Sequence, residues 1–152
     1  MVVSLEYKKV EDTIKKILFS KKQDNPLQMV VDILYDGFEK YSWVGIYLVE
    51  GNNLHLGPWR GTQATEHVWI PIGTGVCGTA AKTGKTELVD DVSADPRYLA
   101  CFRTTRSEIV VPIKKGSSVV GEIDIDSDVP AAFDTKDAEF LEKIADMLSQ
   151  HI

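Results

Sequence analysis

Two thiols and a row of carboxylates are the side chains here best suited to chemistry. Cys77 lies in Gly73-Thr-Gly-Val-Cys-Gly-Thr-Ala80, a glycine-punctuated entry to a short helix. Cys101 lies in the irregular stretch Asp95-Pro-Arg-Tyr-Leu-Ala-Cys-Phe-Arg103, just before the apolar run Ser107-Glu-Ile-Val-Val-Pro112. The patterns place both in loops, where a thiol is exposed, can ionise and can meet a second thiol. The plainer alternative is that both pack as small hydrophobes, as free cysteine commonly does.

In Gly121-Glu-Ile-Asp-Ile-Asp126 three acids, Glu122, Asp124 and Asp126, alternate with Ile123 and Ile125. On a strand this puts all three carboxylates on one face and both isoleucines on the other. One reading is a solvated face with its apolar side down. The other follows from repulsion: like charges in register destabilise a sheet unless a cation or a proton sits among them, so such a face could bind an ammonium group. Glu108 adds a fourth acid, seven residues after Cys101 (108 − 101). It opens an otherwise apolar strand, where burial would raise its pKa and suit it to donate a proton.

The elements that must position these groups are legible from periodicity. Ser4 can cap a helix with Leu5, Val10, Ile14, Ile17 and Leu18 on one face. A second helix should start at Asn25, with Pro26 at its first position, and bury Leu27, Val30, Val31, Leu34 and Phe38. Trp43 to Val49 and Leu54 to Gly57, joined by Gly51-Asn52-Asn53, read as a hairpin. His67 to Ile70, Thr86 to Val89, Glu108 to Ile113 and Ser118 to Asp126 supply further strands. A last helix opens at Asp134, carries Asp137 in its first turn, and buries Phe140, Leu141, Ile144 and Leu148. With no βαβ alternation the class is α+β: one domain over residues 1–152, with N-terminal helices (1–40), an antiparallel sheet of about six strands with active-site loops (41–130), and a C-terminal helix (131–152).

Composition narrows the function. The 152 residues suffice for one core, and 43% apolar with 26% charged residues is ordinary for a globular protein. Lys and Arg number 17 against 23 Asp and Glu, a net charge of −6 that argues against nucleic acid. No apolar run approaches the roughly 18 residues of a membrane span, so the expectation is a cytoplasmic protein. In a reducing compartment two cysteines suggest transient redox chemistry rather than a structural bridge. The glycines before Cys77 lack the Gly-Lys-Ser/Thr of a phosphate loop, and no nucleotide site is expected. His55, His67 and His151 are too scattered to join the cysteines in a metal cluster, and neither cysteine belongs to a Cys-x-x-Cys pair, so no metal is expected either.

Several blocks occur together in a telling order: Trp43-Val-Gly-Ile-Tyr47, Leu56-Gly-Pro-Trp59, Ile70-Pro-Ile-Gly-Thr-Gly-Val-Cys-Gly-Thr-Ala80, Ala100-Cys101, Ser107-Glu-Ile-Val-Val-Pro112 and Asp124-Ile-Asp126. Over about residues 25–150 the chain resembles the free methionine-R-sulfoxide reductases, a branch of the GAF-domain fold. The resemblance implies Cys101 as the thiol that attacks the sulfoxide and Cys77 as a resolving thiol. It implies Glu108, Asp124 and Asp126 as the acids that hold the substrate's amino group and handle the sulfoxide oxygen, with Trp43 and Tyr47 as pocket-wall aromatics. No cofactor is implied beyond an external dithiol such as thioredoxin, and by analogy a homodimer. The chain departs from the pattern at Gly61-Thr-Gln-Ala-Thr-Glu-His-Val-Trp69, where many members carry a third cysteine. Resolution then falls to Cys77 or to an external thiol. Two alternatives keep the fold but not the reaction: a GAF module that only binds a small ligand, and a redox sensor that uses the two thiols as a switch.

Overall fold

Strand alternation and two amphipathic helix faces set the architecture. The structure is a computed structural model that describes residues 5–20, 24–99, 102 and 104–152. Helices α1 (Leu5–Leu18) and α2 (Pro26–Gly37) precede strands β1 (Trp43–Glu50), β2 (Asn53–Gly61) and β3 (Trp69–Pro71). Helix α3 (Gly75–Thr83), β4 (Glu87–Val89), β5 (Ser107–Lys115), β6 (Ser118–Ser127) and α4 (Thr135–Leu148) follow, with single 3₁₀ turns at Val92–Ala94 and Ser149–His151. The six strands form one sheet in the order β3-β2-β1-β6-β5-β4. Every neighbouring pair is antiparallel, as the sequence pattern predicts.

One face of this sheet carries the main core. Val44 and Ile46 of β1, Ile109, Val111 and Ile113 of β5, and Ile123 and Ile125 of β6 pack against Ile14 and Leu18 of α1, Val30, Val31 and Leu34 of α2, and Phe140, Leu141, Ile144 and Leu148 of α4. Each buried aliphatic side chain contributes roughly 1.5–3 kcal/mol relative to exposure. The helix ends follow local chemistry. Pro26 occupies the first turn of α2 after Asn25, although the Asn25 side chain makes no capping bond. Asp134 accepts from the amides of Lys136 and Asp137 while Asp137 accepts from the amide of Asp134, a reciprocal capping box at the start of α4. The cap assigned to Ser4 lies outside the described residues.

Two strands differ from expectation. Strand β3 is only Trp69–Pro71, shifted past His67. Strand β2 runs through Gly57-Pro58, which reads in sequence as its end. The pairing explains this: Leu56 faces Tyr47 and Trp59 faces Gly45, so Gly57 and Pro58 together stand opposite Ile46 in a bulge. A bulge accommodates a residue that cannot donate to the ladder.

The helices are stitched together by one buried carboxylate. Asp137 accepts from Tyr41 Oη at 2.8 Å, Tyr7 Oη at 2.9 Å and Lys40 Nζ at 2.8 Å. These partners come from α1 and from the α2–β1 connection. Burial, then the Asp137 charge, pushes the Tyr41 phenol far above the ordinary range. Removing the acceptor leaves two tyrosine hydroxyls and a cation under-satisfied. Asp137→Ala should therefore cost on the order of 3 kcal/mol. Urea unfolding at neutral pH reads this as a lower midpoint; a midpoint within error of the wild type would show that the network is ornamental.

Candidate functional site

The opposite face of the same sheet is built from the other half of the alternation. Across β1, β6 and β5 the register forms three rows: Trp43–Asp126–Glu108, Gly45–Asp124–Val110 and Tyr47–Glu122–Pro112. Residues directly opposite one another share a face, so four acids, two aromatics, a glycine, a valine and a proline make one surface. It is not solvated. Glu108 is 3% exposed, Glu122 0%, Asp124 1% and Asp126 2%. The solvent-facing reading of this strand is thereby ruled out.

The cover is α3 with the segments on either side of it. Gly73 and Gly75 adopt positive φ of 97° and 71°, a backbone region that favours glycine. Gly78 sits so close to the preceding turn that a Cβ there would lie 2.7 Å from the Pro71 carbonyl oxygen. These glycines fit α3 tightly to the turn before it and leave room for Leu99 beside Gly75, while α3 itself covers the sheet at β5 and β6. Cys77 consequently lies in the first turn of α3, buried rather than in an exposed loop. Its thiol donates to Glu108 Oε2 at 3.9 Å. Around it pack Val76, Ala80, Ala81, Val89, Val92 and Val110.

The aromatic wall is likewise fixed by small residues. The Trp43 indole lies flat over Gly45 and Gly61, where a Cβ would come within 2.3 Å of Cη2 and Cδ1 respectively. It stacks on Trp59 at 6.2 Å and tilts against Phe102 at 5.7 Å. Tyr47 donates its hydroxyl to the His67 carbonyl at 2.7 Å, tying the β2–β3 connection to the sheet. Arg97 pairs with Asp95 at 2.7 Å and also with Glu87, which anchors the segment leading toward residue 100. A cleft of about 340 Å³ opens beside this wall, lined among others by Trp43, Thr62, Gln63, Phe102 and Asp126. Of the four acids, Asp126 reaches it.

The electrostatics of this face are out of balance. Among the described residues, both oxygens of Glu122, both of Asp126, Asp124 Oδ1 and Trp43 Nε1 are buried without a hydrogen-bond partner. No described ion pair involves Glu122, Asp124 or Asp126. Burial first, then the charge of Asp124, raises the carboxyls of Glu122 and Asp126 well above the usual range. Burial also raises Asp124. The Cys77 thiol lies near Glu122 and Asp124, and the Glu108 carboxyl near Asp124 and Asp126; both offset only part of the penalty, and at Glu122 and Asp126 they fall short of hydrogen-bond geometry. The Cys77 thiol is itself pushed far up by burial and then by Asp124, Glu122, Glu108 and Asp126. A buried face of this kind must hold protons or take a cation.

Of the residues singled out from sequence, the structure brings together Cys77, Glu108, Asp124, Asp126, Trp43 and Tyr47. Cys101 lies outside the described residues. Glu122 is the acid that site assignment by family resemblance left out, although the strand alternation marks it. Cys77 Sγ and a carboxylate oxygen each of Glu108 and Asp124 also lie within 4.8 Å of one another, a spacing a metal ion could bridge. Cys-x-x-Cys and histidine spacings gave no sign of it.

Residues 25–152 match the GAF domain, and the chain belongs to that family. Within it, the chain is similar to the protein named free methionine-R-sulfoxide reductase of Saccharomyces cerevisiae, 44% identical over 113 residues, which are 72% of this chain and 62% of that one. The protein of the same name from Escherichia coli is 36% identical over 118 residues, 78% of this chain and 70% of the other. A solved structure of free methionine-R-sulfoxide reductase from Neisseria meningitidis, in complex with its substrate, superposes with a TM-score of 0.88 at 34% identity, covering 99% of this chain and 91% of that one. The resemblance carried by the sequence blocks is thereby borne out.

The burial of Glu122 has a measurable cost. Its native carboxyl keeps its proton to higher pH than the unfolded one, which releases it near about 4.3. The native state then binds more protons, and stability falls as pH rises from that value toward the raised native one. Glu122→Gln removes this cost. Its melting temperature should match the wild type near pH 4 and exceed it increasingly toward neutral pH. Calorimetry showing parallel pH profiles for the two proteins would mean that Glu122 is ionised in the native state.

Proposed function

We propose that this chain reduces free methionine-(R)-sulfoxide to methionine with a cysteine thiolate. The observation that carries the reading is the buried, cation-poor carboxylate face beside a thiol and a tryptophan wall, in a chain similar over nearly its whole length to a reductase solved with its substrate. A free amino acid brings an ammonium group to a face where no described ion pair supplies positive charge to Glu122, Asp124 or Asp126. Asp124 and Asp126 are the residues to hold it, and Trp43 and Tyr47 enclose the methyl sulfoxide end. A peptide-bound or N-acetylated residue has no such charge and would leave the acids unpaired.

The chemistry runs in two stages. The Cys101 thiolate attacks the sulfoxide sulfur while Glu108 protonates the oxygen; the hydroxyl then passes to the Cys101 sulfur as the substrate's S–O bond and the transient bond between the two sulfurs break, giving methionine and a Cys101 sulfenic acid. The substrate sulfur gains the two electrons that the cysteine sulfur loses. Cys77 then condenses with the sulfenic acid, forming a disulfide and releasing water, and an external dithiol such as thioredoxin reopens it by exchange. This second stage requires the two Cα atoms to come within roughly 7 Å. Glu108, beside Cys77, can take the thiol proton. One observation favours a second route for recycling: Cys77 is buried and its thiol is held protonated, so an external thiol could reduce the Cys101 sulfenic acid directly.

Incubated with dithiothreitol and racemic free methionine sulfoxide, the protein should yield methionine up to half of the substrate and leave the S epimer. It should turn over N-acetylmethionine sulfoxide at least roughly a hundredfold less efficiently. Asp126→Asn should raise KM strongly, whereas Glu108→Gln should lower kcat as well. In a single turnover without reductant, Cys101→Ser should release no methionine, while Cys77→Ser should release about one per chain. No methionine from the wild type would leave a GAF module that only binds; release by Cys101→Ser but not Cys77→Ser would reverse the thiol roles.

A further inference from the structure

The substrate-free acid face offers more than an ammonium site. Cys77 Sγ, one oxygen of Glu108 and one of Asp124 converge within 4.8 Å, and Cys77 already contacts Glu108 at 3.9 Å. A tetrahedral zinc ion, with bonds of about 2.3 Å to sulfur and 2.1 Å to oxygen, holds its ligand atoms about 3.4–3.6 Å apart. Side-chain rotations of about an ångström close that gap. Independently of this trio, both oxygens of Glu122 and both of Asp126 are buried beside it without a partner among the described residues. They can supply a fourth ligand or accept from a metal-bound water. Mixed thiolate and carboxylate ligands select zinc-class ions over magnesium or calcium, which prefer oxygen alone.

We propose that the buried acid face beneath α3 binds one thiophilic divalent cation of the zinc class, held by Cys77, Glu108 and Asp124, and that this cation and free methionine sulfoxide exclude one another. Binding exchanges the thiol proton of Cys77, and any carboxyl proton on Glu108 or Asp124, for two positive charges on the metal; no electrons move. The dication compensates the acid face further than a single ammonium does. It also occupies the thiol and the acid that the reductive cycle would use. Exclusion of substrate rests on the reductase reading, whereas cation binding rests on geometry alone.

Cadmium is the probe, because its thiolate bond absorbs in the ultraviolet. Reduced Cys101→Ser protein, which retains Cys77 as its single thiol, should show that absorption saturating at one cadmium per chain. Zinc should displace it, and a chelator should abolish it. Adding Cys77→Ser should remove the band. Asp124→Asn and Glu108→Gln, near-isosteric changes checked by circular dichroism, should each weaken binding at least about tenfold. In the wild type, zinc should raise the apparent KM for methionine sulfoxide and leave kcat unchanged at saturating substrate. A band that survives Cys77→Ser, a stoichiometry well above one, or affinity untouched by both acid variants would overturn the proposal. If cadmium binds as described but methionine sulfoxide is not reduced, the reductase reading fails and the metal site stands; reduction without cadmium binding gives the reverse.

Discussion

Everything around the site answers to one constraint: a strand that carries acids on one face and isoleucines on the other is buried on both. The alternation of β6 cannot be changed without turning a residue over, so the sheet must bury carboxylates to bury Ile123 and Ile125. The apolar face is accordingly dense, with three helices packed against three central strands. Its hydrophobic gain offsets an acid face that by itself opposes folding.

The cover over those acids has to be held by other means, and each is local. Glycines at 73 and 75 supply the positive φ of the turn into α3, and Gly78 lets that turn and the helix pack closer than a side chain would permit. Glycines at 45 and 61 make a floor on which the Trp43 indole lies flat. Tyr47 and Arg97 fasten the connections on either side. The result is a cover made of backbone contacts and aromatic surface in which no described residue places a hydrogen-bond donor on either oxygen of Glu122 or Asp126. Such a surface is specific because it is incomplete: it gains most from a ligand that brings its own positive charge.

Much of this was readable in the chain. A period of two in Glu122-Ile-Asp-Ile-Asp126 fixes which residues share a face, and the capping pattern Asp134-x-x-Asp137 fixes where α4 begins, because both depend on neighbours in sequence. Burial of Glu108 could be read from its apolar strand, but burial of Glu122, Asp124 and Asp126 could not, since it is decided by α3 and by connections dozens of residues away. Cys77 shows the same limit. Its glycine-rich context reads as a loop, yet those glycines form the tight turn that starts a helix. The bulge at Gly57-Pro58 is visible only once the register with β1 is known. The convergence of Cys77 with Glu108, 31 positions apart, belongs to that class as well.

The depth of Cys77 is the least intuitive of these placements, and electrostatics gives it a sense. Burial, and then four acids, oppose ionisation of its thiol, so at rest it is a poor nucleophile and a poor target for stray oxidants, which react with thiolates. A bound ammonium group changes the balance. Each carboxylate it neutralises removes a charge that disfavoured the thiolate, so on the proposed reaction an amino acid still held by Asp124 and Asp126 would make Cys77 easier to ionise when a sulfenic acid waits nearby. The acids that recognise the ligand would then also decide when the second thiol becomes reactive, and substrate selection and recycling become two consequences of the same buried charge.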